Sequence, residues 1–187
     1  MEKAAAKKEI RKKILGMRRA LKEHQVRDMS SMICDSIRKS DAYRAAEDIC
    51  LYMPINNEVD VPQLAGEALC DGKRLWLPRV DGDSMDFFRY DENTQFDTGS
   101  YNIREPQTDE MLMPGTGTLI VMPGAVFSES RDRIGYGGGY YDRYLMMYPE
   151  CSTLAVCYDF QILDDIPSES HDRKPDVIIS EKRMITG

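Results

Sequence analysis

The 187-residue chain carries 25 Lys and Arg against 32 Asp and Glu, a formal charge of −7, with 42% hydrophobic and 30% charged residues. This length suffices for one domain with a real core, and the composition argues against wholesale disorder. The acidic balance argues against a general binder of nucleic acid or membrane surfaces, and no apolar run approaches the roughly 20 residues that span a bilayer.

The charge is unevenly spread. Residues 1–22 hold nine basic side chains against two acidic ones, while the other 165 residues sum to −14. The N-terminus has no apolar stretch of secretory type and its basic start has no Ser, so neither a secretory nor an organelle address is expected. Five widely spaced cysteines (Cys34, Cys50, Cys70, Cys151 and Cys157) form no C-x-x-C pair. They read as reduced thiols of a cytosolic protein. His24 and His171 are the only histidines, too few to favour a zinc site or a Ser-His-Asp triad.

Residues 5–22 are predicted as a helix, with Ile10, Ile14, Met17 and Leu21 as its apolar stripe and most of its cationic side chains in solvent. A second helix is expected over Val26–Arg38 and a short third over Asp41–Glu47. Ile49–Met53, ended by Pro54, reads as a buried strand. Val61–Cys70 follows as a helix, Asp71-Gly72 as a turn, and Arg74–Pro78 and Met85–Tyr90 as strands joined through Asp81-Gly82-Asp83. Residues 91–117 show no periodicity and are expected to be a long surface connection. Thr118–Met122 is a further strand, Gly139–Met147 a helix, and Thr153–Tyr158 and Asp176–Ser180 two more strands. Alternation of strands and helices predicts an α/β, single-domain layered fold over residues 1–187. Its mostly parallel or mixed sheet would be flanked by helices, with the basic helix at the N-terminus.

The densest signal is Arg133-Ile134-Gly135-Tyr136-Gly137-Gly138-Gly139-Tyr140-Tyr141-Asp142-Arg143-Tyr144-Leu145. Four glycines within five positions, ahead of a helix, free consecutive N–H groups to form an anion-binding nest. The helix start adds its positive dipole end, and Arg133 adds a fork suited to phosphate. Asp142 is placed to hold a cation or to cap the helix. The competing interpretation is a flexible surface loop before an amphipathic helix. A Walker A loop is absent, since Gly72-Lys73 is followed by Arg74. A dinucleotide fingerprint would fit Gly135-x-Gly137-x-Gly139 with Asp159 about 20 residues on, but that motif must follow a strand directly. About twelve residues separate Met122 from Gly135.

Together with Pro123-Gly124-Ala125-Val126-Phe127, this stretch resembles the signature of the 5-formyltetrahydrofolate cyclo-ligase family. Lys7-x-x-x-Arg11, Tyr52-Met53-Pro54 with Asn57-Glu58-Val59-Asp60, Asn102-Ile103-Arg104-Glu105-Pro106, and Ile166-Pro167, His171-Asp172 and Pro175–Ile178 resemble its other segments in order. The resemblance implies ATP-dependent, Mg²⁺-requiring conversion of 5-formyltetrahydrofolate to 5,10-methenyltetrahydrofolate, with ADP and phosphate released. It implies that Lys7, Arg11 and Arg133, Ile134, Gly135, Tyr136, Gly137, Gly138, Gly139, Tyr140 and Tyr141 bind ATP. Met53 and Glu58, with Tyr136, Gly137, Gly138, Gly139 and Tyr140, would contact the folate. Asp142 and Asp172 would hold Mg²⁺, and Arg133, Tyr140 and Asp142 would serve the chemistry. No nucleic acid or membrane partner is expected of the acidic body, a monomer is consistent with the family, and a cytoplasmic location is expected from the missing targeting signals.

From residue type alone, Lys7 and Arg11 fit a solvated helix face better than a site, while Met53 also fits a core position, Glu58 a loop carboxylate, Tyr140 and Tyr141 packing, and Asp172 a turn. Three positions depart from the family pattern. Ser128 stands where Asp is common, Arg131 where Gly is common, and Gly138 where some members carry Lys. The missing lysine either weakens phosphate contact or is replaced by Arg131 or Arg143, and the sequence leaves both open. A nucleotide- or folate-binding module without turnover and a basic-arm interaction protein are the rival classes.

Overall fold

The structure, a computed structural model, describes residues 2–99, 103–169 and 172–187. Helices α1 (Glu2–Arg19), α2 (Glu23–Lys39) and α3 (Asp41–Ala45) come first, followed by strand β1 (Asp48–Cys50). A 3₁₀ turn (Val61–Leu64), with Pro62 in its first positions, leads into α4 (Ala65–Cys70), so the predicted helix over 61–70 begins tighter than an α-helix. The hairpin β2 (Arg74–Asp81) and β3 (Ser84–Tyr90) follows. Then come β4 (Phe96–Thr98), β5 (Arg104–Pro106), β6 (Thr118–Met122), β7 (Val126–Ser128) and β8 (Arg133–Ile134). The chain ends with α5 (Tyr140–Met147), β9 (Ser152–Val156), β10 (Ile162–Leu163), β11 (Val177–Ile179) and β12 (Met184–Thr186).

The main sheet has the order β12-β11-β9-β6-β1-β2-β3. Its five inner strands are parallel, and the edge strands β3 and β12 pair antiparallel. The expected mixed α/β sheet is what the chain forms. Alternation along the strands splits the core into two layers. Ile49, Leu75, Leu77, Leu119, Val121, Leu154 and Val156 pack toward Ile33 and Ile37 of α2 and Tyr43 of α3. Cys50, Trp76, Ile120, Met122, Ala155 and Ile178 pack toward Tyr144 and Leu145 of α5. Each such fully buried aliphatic side chain contributes roughly 1.5–3 kcal/mol. No described helix is long and apolar enough to cross a membrane.

Three expectations are corrected. Residues 91–117 contain the β4–β5 hairpin and a bridge between Phe88 and Met111. Its strands are short and carry charge, so they leave no periodic signal. Second, the interval between Met122 and Gly135, assigned no element from the sequence, holds β7 and β8, which form a separate small sheet with β10. Third, the buried face of α1 is rotated by about 60° from the predicted stripe. Ile14 is buried but Met17 is exposed, whereas Arg18 is buried with only 2% of its surface accessible.

Candidate active site

The β1–β2 and β1–β6 pairings place the topological switch of the sheet at β1 and β6. In open α/β sheets, ligands bind in the crevice at the carboxyl ends of the strands around such a switch. Here two pockets share that edge and have Pro123, Tyr136, Gly138, Tyr140 and Tyr141 as common walls.

The first pocket, about 450 Å³, is cationic and glycine-lined. Strand β8 delivers Arg133 and Ile134, residues 135–139 form the loop, and α5 starts directly after it. Gly137 and Gly139 have φ of +104° and +67°, which an L side chain rarely adopts. This is the backbone reason for glycine at both. Lys7 and Arg11 reach the same pocket from α1. Arg133 donates to Asp142 at 2.9 Å, yet the Nε atoms of both Arg11 and Arg133 are buried without a hydrogen-bond partner among the described residues. Two guanidinium groups lining a glycine-rich pocket, with their Nε–H groups unpartnered, suit an anionic ligand.

Lys7 is paired with Asp172 at 2.7 Å and Glu169 at 2.8 Å. Burial works against its ammonium, but the hydrogen bonds to these carboxylates leave its pKa above the ordinary lysine value. Asp142 and Asp172 both line the pocket. Among the described residues no cluster of three or more His, Cys, Asp or Glu forms a ready metal cage. Two carboxylates lining the cationic pocket nevertheless fit Mg²⁺, which is commonly bound by one or two carboxylates plus substrate phosphates.

The second pocket, about 230 Å³, is apolar. The chain leaves the sheet after β1, so Tyr52, Met53 and Ile55 line one side, and Pro78, Val80 and Met85 from the β2–β3 hairpin line another. Asn56 and Asn57, both at positive φ, turn the backbone so that Glu58 faces inward. Buried tyrosines hold this turn: Tyr52 donates to the Val59 carbonyl at 2.8 Å and Tyr158 to the Glu58 carbonyl at 3.2 Å. The Glu58 carboxylate accepts from the Ile55 N–H at 2.9 Å and from the Tyr136 hydroxyl. Burial pushes its pKa up, against the lowering effect of Arg18, Tyr136 and the Ile55 N–H. Burial also raises the Tyr136 and Tyr141 phenols well above the usual range, so both are neutral donors.

The structure brings the sequence-predicted site residues to the two pockets, except that Gly137 and Gly139, also expected beside the folate, line only the first. Lys7, Arg11, Arg133–Asp142 and Asp172 line the first pocket, and Met53, Glu58, Tyr136, Gly138, Tyr140 and Tyr141 line the second. Asn102 and His171, also noted in the sequence, lie outside the described residues. Sequence reasoning missed Arg18, and it noted Ile103 and Glu105 only within a family-like segment, without a site role. Ile103 and Glu105 line the apolar pocket, where Glu105 accepts from the Val80 N–H at 3.2 Å. The departures also resolve. Ser128 closes its turn through Ser130 at 2.9 Å and Asp132 at 3.2 Å. Arg131 takes φ +66° and donates to the Pro175 and Asp176 carbonyls, away from the phosphate pocket. Arg143 does line that pocket, held by the Asp83 carbonyl at 2.7 Å.

An α/β protein that sets a phosphate-ready loop against a small-molecule pocket at its sheet switch point belongs to the class of nucleotide-using enzymes. Residues 3–181 match the model of the 5-formyltetrahydrofolate cyclo-ligase family, and the chain belongs to that family. It is 28% identical to mouse 5-formyltetrahydrofolate cyclo-ligase, covering 95% of this chain and 94% of that one. It is 27% identical to a probable 5-formyltetrahydrofolate cyclo-ligase of Schizosaccharomyces pombe, over 88% of this chain and 90% of the relative. The solution structure of Aquifex aeolicus 5,10-methenyltetrahydrofolate synthetase superposes with a TM-score of 0.86 at 32% identity, over 96% of this chain and 92% of that one. The protein is therefore a ligase of folate one-carbon metabolism, as the sequence signature implied.

Proposed function

We propose that this chain closes 5-formyltetrahydrofolate to 5,10-methenyltetrahydrofolate while ATP is converted to ADP and phosphate. The observation that carries the proposal is the common wall of the two pockets, formed by Tyr136, Gly138, Tyr140, Tyr141 and Pro123. The triphosphate in the cationic pocket and the pterin in the apolar one would meet across it.

In the proposed sequence the formyl oxygen attacks the γ-phosphorus, and the bond to ADP breaks. N10 then attacks the activated formyl carbon, and the C–O bond breaks with phosphate as leaving group. The N10 proton passes to solvent. No enzyme nucleophile takes part, so the work is positioning and electrostatics. Lys7, Arg11 and Arg133 would neutralise phosphate charge, and the loop N–H groups at 135–139 would bind its oxygens. Asp142 holds Arg133 in line, and Tyr140 flanks the transfer. Asp142 and Asp172 would hold Mg²⁺, which would supply neutralisation of phosphate charge. Met53 would lie against the pterin ring, and Glu58 would accept its N–H groups.

A single domain over residues 1–187 and a monomer suffice for this reading, because one chain supplies every residue invoked. The five free thiols suit the cytoplasm as its compartment. The test is to follow methenyl product by absorbance with 5-formyltetrahydrofolate, ATP and Mg²⁺. ATP-dependent product is expected. Folded protein that binds ATP and makes none would refute the ligase reading and leave a binding module.

A further inference from the structure

Arg18 is a fully buried cation at the end of α1, with 2% of its surface accessible. Its Nε donates to the Asn56 carbonyl at 3.0 Å, and its guanidinium reaches the Ile55 carbonyl at 3.4 Å. The same group donates to the Tyr136 hydroxyl and stands 3.6 Å from the Glu58 carboxylate. In return, Asn57 donates its side-chain amide to the Arg18 carbonyl at 3.2 Å and the Leu21 carbonyl at 3.0 Å. One residue thus grips both left-handed residues of the turn that aims Glu58, the carboxylate itself, and the glycine loop through Tyr136.

Arg18 lines neither pocket, so it acts only through groups that do. A buried ion pair by itself is weak evidence of stabilisation, since desolvation offsets its attraction. Two strained turn residues and a buried charge pair, all converging on one pocket wall, are better explained by what they hold in place.

We propose that Arg18 is a positioning residue for folate recognition, which keeps the Glu58 carboxylate aimed into the apolar pocket and ties it to the glycine loop. The groups facing Glu58 are Arg18 from α1, Tyr136 and Tyr141 from the loop and the start of α5, Tyr52 after β1, and Tyr158 after β9. Arg18 is the one cation in that set of described residues. Without it the buried carboxyl takes up a proton at higher pH. A protonated carboxyl then loses one of the acceptor oxygens that a pterin N–H edge needs.

The inference rests on the assignment of the apolar pocket to the folate. The experiment measures the KM for 5-formyltetrahydrofolate from pH 6 to 8.5, with ATP affinity measured separately. Wild type, Arg18→Met and Arg18→Lys are compared at each pH. Arg18→Met is expected to raise the folate KM about tenfold or more at neutral pH, steepening as pH falls, with ATP affinity within about twofold of wild type. Arg18→Lys, which keeps the charge, is expected to raise the KM less and to follow the wild-type pH profile. In the Glu58→Gln background Arg18→Met should add no pH dependence. Equal losses of folate and ATP affinity, a pH-independent change, or an Arg18→Lys profile displaced to higher pH would overturn the role. If Arg18→Met does not fold, the Arg18→Lys profile decides. A wild type without ATP-dependent product would remove the functional reading itself, whereas an active wild type with unaltered Arg18 variants removes only this inference.

Discussion

The two pockets at the sheet edge are built in opposite ways. The cationic pocket draws most of its walls from one continuous stretch, Arg133 to Arg143, with Lys7 and Arg11 reaching in from α1. The apolar pocket is assembled from separated segments: Tyr52–Glu58, the β2–β3 hairpin, Ile103 with Glu105, and the glycine loop. Its carboxylate Glu58 is buried, and burial raises its pKa. A phosphate can be met by the backbone N–H groups of one loop and cationic side chains beside it. A flat, partly apolar ring must be enclosed by walls that only a folded chain brings together. The first kind of site is legible as a motif, and the second is not.

That contrast predicts separable losses. The largest belongs to the apolar side. Glu58→Gln removes a buried, charged acceptor, and kcat/KM for 5-formyltetrahydrofolate should fall by about 30- to 100-fold, as expected for a charge-assisted hydrogen bond of ~2–3 kcal/mol. ATP affinity, measured separately, should stay within about twofold; a comparable loss there would merge the two pockets into one functional unit. On the cationic side, Arg11→Ala should raise the ATP KM about tenfold and leave folate affinity unchanged. Lys22, beyond the end of α1, supplies the control, since Lys22→Ala should change neither. Equal effects of the two variants would make Arg11 a surface charge like any other. Added KCl should likewise weaken ATP use several-fold more than folate use, because screening acts on the cationic wall.

The smallest effect is expected outside both pockets. Asp48 accepts from Arg74 at 2.7 and 2.8 Å and from Trp76 at 2.8 Å. Burial opposes ionisation there, but these hydrogen bonds hold its pKa below the usual carboxylate value. A depressed folded pKa means the contribution is present at neutral pH and disappears as pH falls from about 4 through the folded value. With Arg74 half exposed, that contribution is about 1 kcal/mol. Asp48→Asn should therefore lower Tm by about 2–4 °C at pH 7, less near pH 3, with both KM values unchanged. A change in either KM would mean that the amino end of β1 is coupled to the site.

Much of the fold is legible in the sequence. The apolar runs at Ile49, Leu75, Phe87, Leu119, Leu154 and Ile178 are strands because their branched and aromatic side chains fill both faces of a covered sheet. The short strands β7, β8 and β10 are not legible, since two- and three-residue pairings carry no period. The buried face of α1 escapes for a related reason. Periodicity marks only a hydrophobic stripe, whereas the helix turns Lys7, Arg11, Ile14 and Arg18 inward together.

The sequence by itself determined the layered α/β class, the phosphate-ready loop, and the family to which the chain belongs, because each is written in contiguous residues with a local backbone requirement. Tertiary structure decided which cations of the basic helix are solvated and which serve a pocket. It also decided how Glu58 is aimed and how the two pockets come to share a wall. Burial, and the partner each buried charge must find, are properties of chain segments brought together. Arg18 and Arg19 are adjacent and alike in sequence, and only the fold buries one and leaves the other in water.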